Sequence, residues 1–261
     1  MSGSLHNPLE IQQRVIGALI LREMHTRFGR ENLGYLWLIL EPMILAGAVA
    51  LMHIYLRSSM PYHIYPAPFW IVSYGPWIMF RSMVLRSDSA IEANKTLLYH
   101  RIVTLLDIHL SRGLLEFGAT TFALVLLLGG TAVLGIGNVP ERPLLFLEGM
   151  ALLWWMGFGL GLVYSAWAQF SNVAERFMHP ALYLALPFSG VFTMLQWFPQ
   201  GYIHVLLWFP IPHIVEIIRE GQFATYDSPY VNTPYVLGWC VGLTFVGLAT
   251  IKTVRRTIHL T

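Results

Sequence analysis

Long apolar runs alternate with short polar segments along most of the chain. Six runs contain few charged residues, and they cover residues 33–56, 69–85, 114–136, 144–169, 181–197 and 235–251. A helix rises ~1.5 Å per residue, so runs of this length can cross the ~30 Å hydrocarbon layer of a membrane. The pattern predicts an all-α integral membrane protein with six transmembrane helices.

Two further segments show the periodicity of a helix with one apolar face. Ahead of the first run, apolar residues between Ile11 and Met24 recur at helical spacing among charged and amide side chains. We predict a cytoplasmic amphipathic helix within residues 1–32, which lies on the membrane surface or against a partner protein. That stretch lacks the apolar core and cleavage site of a secretory signal peptide. A shorter amphipathic helix is predicted at residues 87–101.

The distribution of positive charge sets the predicted orientation. With the N-terminus inside, 13 of the 16 Lys and Arg residues fall in inner segments, as is typical of cytoplasmic loops. Both termini are therefore predicted to be cytoplasmic, with residues 33–251 as the transmembrane domain and residues 252–261 as a basic tail. A net charge of only +2 gives no reason to expect a nucleic-acid partner.

The segment between the fifth and sixth runs lies outside in this orientation. Residues 199–222 contain two apolar pieces that are too short to cross a membrane, and prolines at 199, 210 and 212 interrupt them. Short apolar pieces of this kind suit re-entrant helices that are buried against protein. We predict such helices here.

Composition supports a membrane protein and excludes several classes of enzyme. The chain is 56% hydrophobic and 11% charged, whereas soluble domains carry roughly 25% charged residues. Its two lysines, Lys95 and Lys252, do not follow a glycine-rich loop, so the phosphate cradle of an ATPase is missing. Neither a zinc-binding pattern nor a nucleophile motif is present. We predict no catalytic residue and no metal site in this chain.

The start of the first run carries a recognisable motif. Residues 27–42 read RFGRENLGYLWLILEP. This motif resembles the opening of the permease subunit of type-2 ABC exporters, and the chain as a whole is similar to the inner-membrane subunit of capsular polysaccharide export. The motif positions are Arg27, Arg30, Gly34, Trp37, Glu41 and Pro42.

The resemblance implies a function and a set of partners. The chain would export lipid-linked capsular polysaccharide across the bacterial inner membrane as a homodimer that carries two ATP-binding subunits. ATP and Mg²⁺ would bind to that partner subunit, and this chain would hold no cofactor. Periplasmic and outer-membrane polysaccharide export proteins are further implied partners.

Two segments acquire roles from the same resemblance. The 87–101 helix would be a coupling helix seated in a groove of the ATP-binding subunit. Its expected contact residues are Glu92, Asn94, Leu97, Leu98 and Tyr99. The 199–222 segment would lie at the outer mouth of the export path, where the outer gate candidates are His213, Glu216 and Arg219.

Aromatic residues within the runs are candidates for the path of the polymer. Tyr74, Trp77, Tyr164 and Phe188 lie deeper than the headgroup zone in which such rings are commonly found. An aromatic face can stack on a sugar ring, and this attraction is weak enough to repeat along a polymer. Packing between helices is the competing explanation for the same four residues.

Other functions stay open at this point. Within the family, the cargo could be an O-antigen, a teichoic acid or a small lipophilic compound. An ion-coupled secondary transporter would use a carboxylate near mid-membrane, and the acidic residues within apolar runs are Glu41, Glu116 and Glu148. A membrane-embedded transferase would need a paired acidic or histidine site, which the sequence lacks.

The predicted orientation can be tested by cysteine accessibility in a Cys240→Ala background. Because Ser59, Asn138 and Asp227 fall in outer segments, cysteines at these positions should react with an impermeant thiol reagent in intact cells. Thr96→Cys should react only after lysis. Labelling of Thr96→Cys in intact cells would overturn the six-span orientation.

Overall fold

The computed structural model describes residues 8–28, 34–55, 64–94, 97 and 103–258. Within these ranges the chain is helical and contains no β-strand, which confirms the all-α prediction. The α-helices in this part are α1 (Pro8–Phe28), α2 (Gly34–Tyr55), α3 (Pro66–Leu85), α4 (Leu105–Val133), α5 (Pro143–Phe170), α6 (Asn172–Phe188), α7 (Gln200–Leu206), α8 (Pro210–Gln222) and α9 (Thr233–Ile258). Short 3₁₀ turns lie at Asp88–Ala90, Glu92–Asn94 and Leu195–Trp197.

Within the described residues, four helices are long and apolar enough to cross a membrane, as expected for a multi-pass membrane protein. The qualifying segments are Leu36–Tyr55, Leu105–Val133, Pro143–Phe170 and Thr233–Val254. Helix α3 contains 20 residues, and its prolines and Arg81 lower its hydropathy, whereas α6 contains only 17 residues. The segment predicted to be an amphipathic N-terminal helix is helical at Pro8–Phe28, and its residue Leu19 is buried in one cluster with Ile91 and Leu105.

Helix α3 forms the centre of the bundle, since 15 of its 20 residues are buried. Its apolar side chains, Phe69, Met79 and Phe80 among them, join the main core with residues of α5 and α8 such as Met150 and Ile218. Helices α2, α4, α5 and α8 all pack against α3. The central position explains why α3 can include three prolines and several aromatic rings and still belong to the bundle.

Helix α6 begins and ends earlier than the fifth apolar run, residues 181–197, had suggested. Its start is fixed by Ser171, whose Oγ accepts a hydrogen bond from the backbone nitrogen of Val173 at 3.2 Å. Its end at Phe188 is followed by Gly190, which has a φ of +71°. That left-handed conformation favours glycine and turns the chain out of the helix.

Helices α5 and α8 approach each other closely through two glycines. A Cβ added at Gly221 would clash with the backbone nitrogen of Phe146 and lie 2.5 Å from its Cα. A Cβ added at Gly149 would lie 2.6 Å from Cγ1 of Ile218. The absence of a side chain at both positions therefore sets the distance between these helices.

Replacing Gly221 by alanine should destabilise the protein by ~1–3 kcal/mol, because the new methyl group meets backbone that cannot move aside. The measurement is the thermal denaturation midpoint of the detergent-purified protein. Gly129→Ala is the matched control, since a Cβ there meets nothing within 4 Å. Equal midpoints for the two variants would contradict the close crossing.

Candidate functional site

The segment predicted to contact an ATP-binding subunit follows helix α3 directly. Its described part forms two 3₁₀ turns rather than a continuous α-helix. Glu92 is exposed on the second turn, whereas Asn94 is only 3% exposed. The Asn94 amide donates to the carbonyl oxygen of Ala90 at 2.8 Å and accepts from Nη1 of Arg22 on α1 at 2.5 Å. Asn94 therefore fixes the turn to α1.

The other predicted contact residues are described only in part. Leu97 is half-buried and packs against the cluster that contains Leu19 and Ile91. Leu98 and Tyr99 lie outside the described residues. The prediction of a contact surface at residues 87–101 stays a prediction.

Five charged residues near this segment form an ion network, which we call the Arg86–Arg112 network. Arg86, at the end of α3, contacts Glu116 of α4 at 3.2 Å and Glu41 of α2 at 3.5 Å. Arg112 of α4 contacts Glu23 of α1 at 3.0 Å and donates to the carbonyl oxygen of Arg86 at 3.0 Å. The network joins four helices at the level where the 3₁₀ turns begin.

The network explains two of the acidic residues within apolar runs. Glu116 is 6% exposed, and a buried carboxylate is stable when it is paired with a cation and hydrogen-bonded. Glu41 belongs to the Glu-Pro motif, and its partner Arg86 lies on the neighbouring helix. Glu148, by contrast, is exposed on α5. A cavity of ~20 Å³, enough for about one water molecule, lies beside Arg86, Arg112 and Glu116.

The remaining motif positions lie at or near the start of α2. Gly34 is its first residue, and Trp37 is 53% exposed. Pro42 is buried within α2, which continues as one helix through this position. Arg27 lies in the last turn of α1, and Arg30 falls outside the described residues.

The outer gate candidates lie on helix α8, where Glu216 and Arg219 are completely buried. Arg219 has five N–H donors, and each has an acceptor in the structure. The acceptors are Oγ of Ser73 at 3.0 Å, Oε1 of Glu216 at 2.8 Å, and the carbonyl oxygens of Thr193, Gly190 and Val191 at 3.0, 2.7 and 3.0 Å. The guanidinium also lies 4.6 Å from the centre of the Phe69 ring. We call these residues the Arg219 cluster.

Glu216 links the Arg219 cluster to the chain that follows α8. Its second oxygen accepts a hydrogen bond from the hydroxyl of Tyr226, a buried side chain. The buried carboxylate is therefore paired with a cation and hydrogen-bonded at both oxygens. Removing one partner of such a pair leaves an uncompensated buried charge and is strongly destabilising.

His213, the third gate candidate, holds two loops near the start of α8. The ring is 3% exposed, with Nδ1 at 2.8 Å from the carbonyl oxygen of Tyr230 and Nε2 at 3.1 Å from that of Leu207. All three gate candidates thus belong to the packed interior of one chain.

The loops at this end of the bundle are joined by exposed polar contacts. Arg142 contacts Asp227 at 2.6 Å and donates to the carbonyl oxygen of Ala224 at 2.9 Å. The hydrogen bond to Asp227 raises the pKa of Arg142. Burial raises the pKa of Glu220, although that carboxylate accepts a hydrogen bond from the backbone of Ser228 at 2.7 Å.

The four aromatic path candidates occupy different environments. Trp77 and Tyr164 are 2% and 0% exposed, inside the main core. Tyr74 is half-buried, and its ring stacks on Phe192 with centroids 5.9 Å apart. Phe188 is 48% exposed and lines an apolar groove of ~340 Å³ with neighbouring residues of α6.

Sequence reasoning missed most partners of the charged residues. From the sequence, Arg86 and Arg112 contributed only to the distribution of positive charge. The carboxylates within the neighbouring apolar runs were a signal that cations lie near them, because an unpaired charge inside a membrane is costly. Ser73 and Tyr226 gave no signal, because they contact Arg219 from distant parts of the chain.

No profile of a known protein family matches the chain. Individual proteins do match it over nearly its whole length. It is 34% identical to the capsule polysaccharide export inner-membrane protein CtrC of Neisseria meningitidis, over 96% of this chain and 95% of that protein. It is 31% identical to the protein of the same description, BexB, of Haemophilus influenzae, with the same coverage. The polysialic acid transport protein KpsM of Escherichia coli is 32% identical over 94% of this chain and 95% of its own length.

The chain belongs to the family of capsule polysaccharide export inner-membrane proteins. Membership confirms the resemblance carried by residues 27–42 and makes the chain a multi-pass protein of the inner membrane. For this capsule export permease, the Arg86–Arg112 network and the Arg219 cluster are two sites where ion pairs join elements of the described bundle.

Arg219→Met in this permease should lower the free energy of unfolding by ~3–5 kcal/mol, because Glu216 would remain buried without its cation. The measurement is the denaturation midpoint of the purified protein, together with its level in membranes. Asp227→Asn is the control, since it removes an exposed partner from the Arg142 pair and should change little. A midpoint for Arg219→Met equal to that of the control would show that the cluster does not stabilise the fold.

Proposed function

We propose that the chain is the membrane-spanning subunit of an ABC exporter that moves lipid-linked capsular polysaccharide across the bacterial inner membrane. The observation that carries this proposal is the match to export and transport proteins over at least 94% of the chain. The exporter is a homodimer with two copies of a separate ATP-binding subunit, which holds ATP and Mg²⁺. The polymer passes between the two permease chains and on to periplasmic and outer-membrane export proteins.

In this proposal six helices cross the membrane, namely α2, α3, α4, α5, α6 and α9. Helix α3 has 20 residues and α6 has 17, which correspond to ~30 and ~25 Å at ~1.5 Å per residue. Helices α7 and α8, with 7 and 13 residues, are too short to cross and form the outer re-entrant pair. Both termini are cytoplasmic.

Force from ATP binding enters the permease at the 3₁₀ turns after α3. The exposed Glu92 contacts the ATP-binding subunit, while Asn94 transmits the movement to α1 through Arg22. The Arg86–Arg112 network lies directly behind these turns and connects them with α2 and α4. A displacement of the 3₁₀ turns is therefore passed to four helices by ion pairs and hydrogen bonds rather than by flexible connecting segments.

The outer re-entrant pair controls the exit of the polymer as a packed unit. Because Glu216 and Arg219 are buried within one chain, they hold α8 and the backbone after α6 in position. The surface offered to the polymer consists instead of exposed aromatic residues, such as Phe188 of α6. Movement of α6 against its copy in the second chain opens the route.

Glu92→Lys should abolish surface polysaccharide and weaken recovery of the ATP-binding subunit in pull-downs, while the permease stays in the membrane. The reversed charge disturbs the docking contact without a large change in the fold, since Glu92 is exposed. Glu148→Lys makes the same charge change at an exposed position near the opposite end of the bundle and should leave the docking contact intact.

A strain that lacks the permease gene provides the baseline for this experiment. It should lose surface polysaccharide and accumulate polymer inside the cell, and the wild-type chain should reverse both effects. Normal surface polysaccharide in the deletion strain would refute the proposed function. Normal export by Glu92→Lys would refute only the docking contact.

A further inference from the structure

Among the residues that the structure describes, one arginine inside the bundle lacks the acidic partner that three others have. Arg86, Arg112 and Arg219 each lie within 3.5 Å of a carboxylate. No carboxylate of the described residues forms an ion pair with Arg81, whose partner is Tyr183 of α6. The guanidinium lies 4.4 Å from the centre of the Tyr183 ring, and Nη2 donates to its hydroxyl at 2.5 Å.

The position of Arg81 makes this missing counter-charge significant. Arg81 precedes Arg86 by five residues on α3, so it lies ~7.5 Å farther into the bundle than the Arg86–Arg112 network. It is half-buried, and its Nε is enclosed without a hydrogen-bond partner among the described residues. A cation at such depth is costly unless it meets water or an anion, and residues of this kind mark substrate or ion pathways.

The surface around Arg81 is polar along one face of α6. Tyr183 is 58% exposed, and Arg176 and His179, seven and four residues earlier, are exposed on the same helical face. Glu175, in the first turn of the helix, is the neighbour of Arg176 in the sequence, and no described carboxylate forms an ion pair with Arg81. Lipid tails would not solvate this face, whereas a charged cargo would.

We propose that Arg81 and Tyr183 form a binding site for an anionic group, a carboxylate or a phosphate, of the exported lipid-linked polysaccharide. This site depends on the proposed export function. It adds that the protein recognises a negatively charged group of the exported substrate. A guanidinium binds carboxylates and phosphates through two parallel hydrogen bonds. Tyr183 covers the guanidinium and fixes the direction of its fork, while the enclosed Nε has no hydrogen-bond partner among the described residues.

The anion can belong to the sugars of the polymer or to its lipid end, and a protection assay separates these sources. The permease with its ATP-binding subunit is placed in nanodiscs of zwitterionic lipid, with Cys240→Ala and a reporter cysteine, Pro187→Cys, one turn after Tyr183 on the same exposed face. The probes are a sialic acid oligomer, which carries carboxylates on sugars, a lysophosphatidic acid and a neutral maltooligosaccharide. The measured quantity is the probe concentration that halves maleimide labelling.

At least one anionic probe should protect the reporter, and the neutral oligosaccharide should not. Arg81→Gln should raise the half-protection concentration by about tenfold or more, since a hydrogen bond to a charged group is lost. Arg81→Lys should retain part of the protection. Arg14→Gln, which removes an exposed cation from α1, should behave like the wild type. Protection by the sialic acid oligomer alone assigns the anion to the polymer, and protection by the lysolipid alone assigns it to the lipid end.

Several results would overturn the site. These are unchanged protection in Arg81→Gln, equal protection by the neutral oligosaccharide, or no protection of the wild type by either anionic probe. If Arg81→Gln does not fold, the Tyr183→Ala variant tests the site instead, because this substitution removes an exposed ring and should not prevent folding. Protection of Tyr183→Ala equal to that of the wild type would then refute the site. Dissociation of the dimer in Arg81→Gln would show a contact between subunits and count against the proposal. Surface polysaccharide in the deletion strain tests the export function separately.

Discussion

One buried guanidinium holds the least regular part of this bundle together. Where α6 ends, the chain turns at Gly190 and leaves carbonyl oxygens without helical partners. Inside a membrane protein, backbone groups of this kind need partners from the protein itself. Arg219 donates to three of these carbonyls at once and reaches α3 through Ser73. Without it, neither the turn after α6 nor the position of α8 would have a stable arrangement.

The Arg219 cluster and the Arg86–Arg112 network differ in burial and in contact geometry. The Arg219 cluster is fully buried, and its cation uses all five donors within one chain, so it favours a single geometry. The Arg86–Arg112 network is partly exposed, with Arg86 shared between two carboxylates at 3.2 and 3.5 Å. A cation held by two longer contacts can move between them at small cost. One end of α3 is therefore held in a single geometry, while the contacts at the other end tolerate small displacements.

The helices themselves were predictable, because apolar runs of membrane length leave few alternatives. The runs at 33–56 and 144–169 coincide with α2 and α5 to within a residue. The run at 114–136 missed the first nine residues of α4, since the Thr104–Asp107 capping box starts that helix in a polar stretch. The fifth run failed as a single helix because hydropathy does not register the turn at Gly190.

The candidate site was less accessible to sequence reasoning. The resemblance singled out Glu216 and Arg219, but their spacing of three residues could not reveal that both are completely buried. Nor could any local pattern connect Arg81 with Tyr183, which are 102 positions apart. Charged residues in a membrane bundle are easily found from sequence. The packing of the helices, which determines which of these residues meet, is not.

The burial of α3 has a consequence for how the protein is made. Membrane insertion of a helix is driven by the transfer of its side chains from water to lipid, and Arg81 and the prolines of α3 oppose that transfer. Helix α3 faces protein rather than lipid over most of its surface, so its favourable environment exists only after α4 and α5 have been synthesised. Because α3 precedes α4 and α5 in the chain, it is synthesised before the helices that bury it. The packing of α3 therefore favours its insertion together with neighbouring helices over its insertion alone.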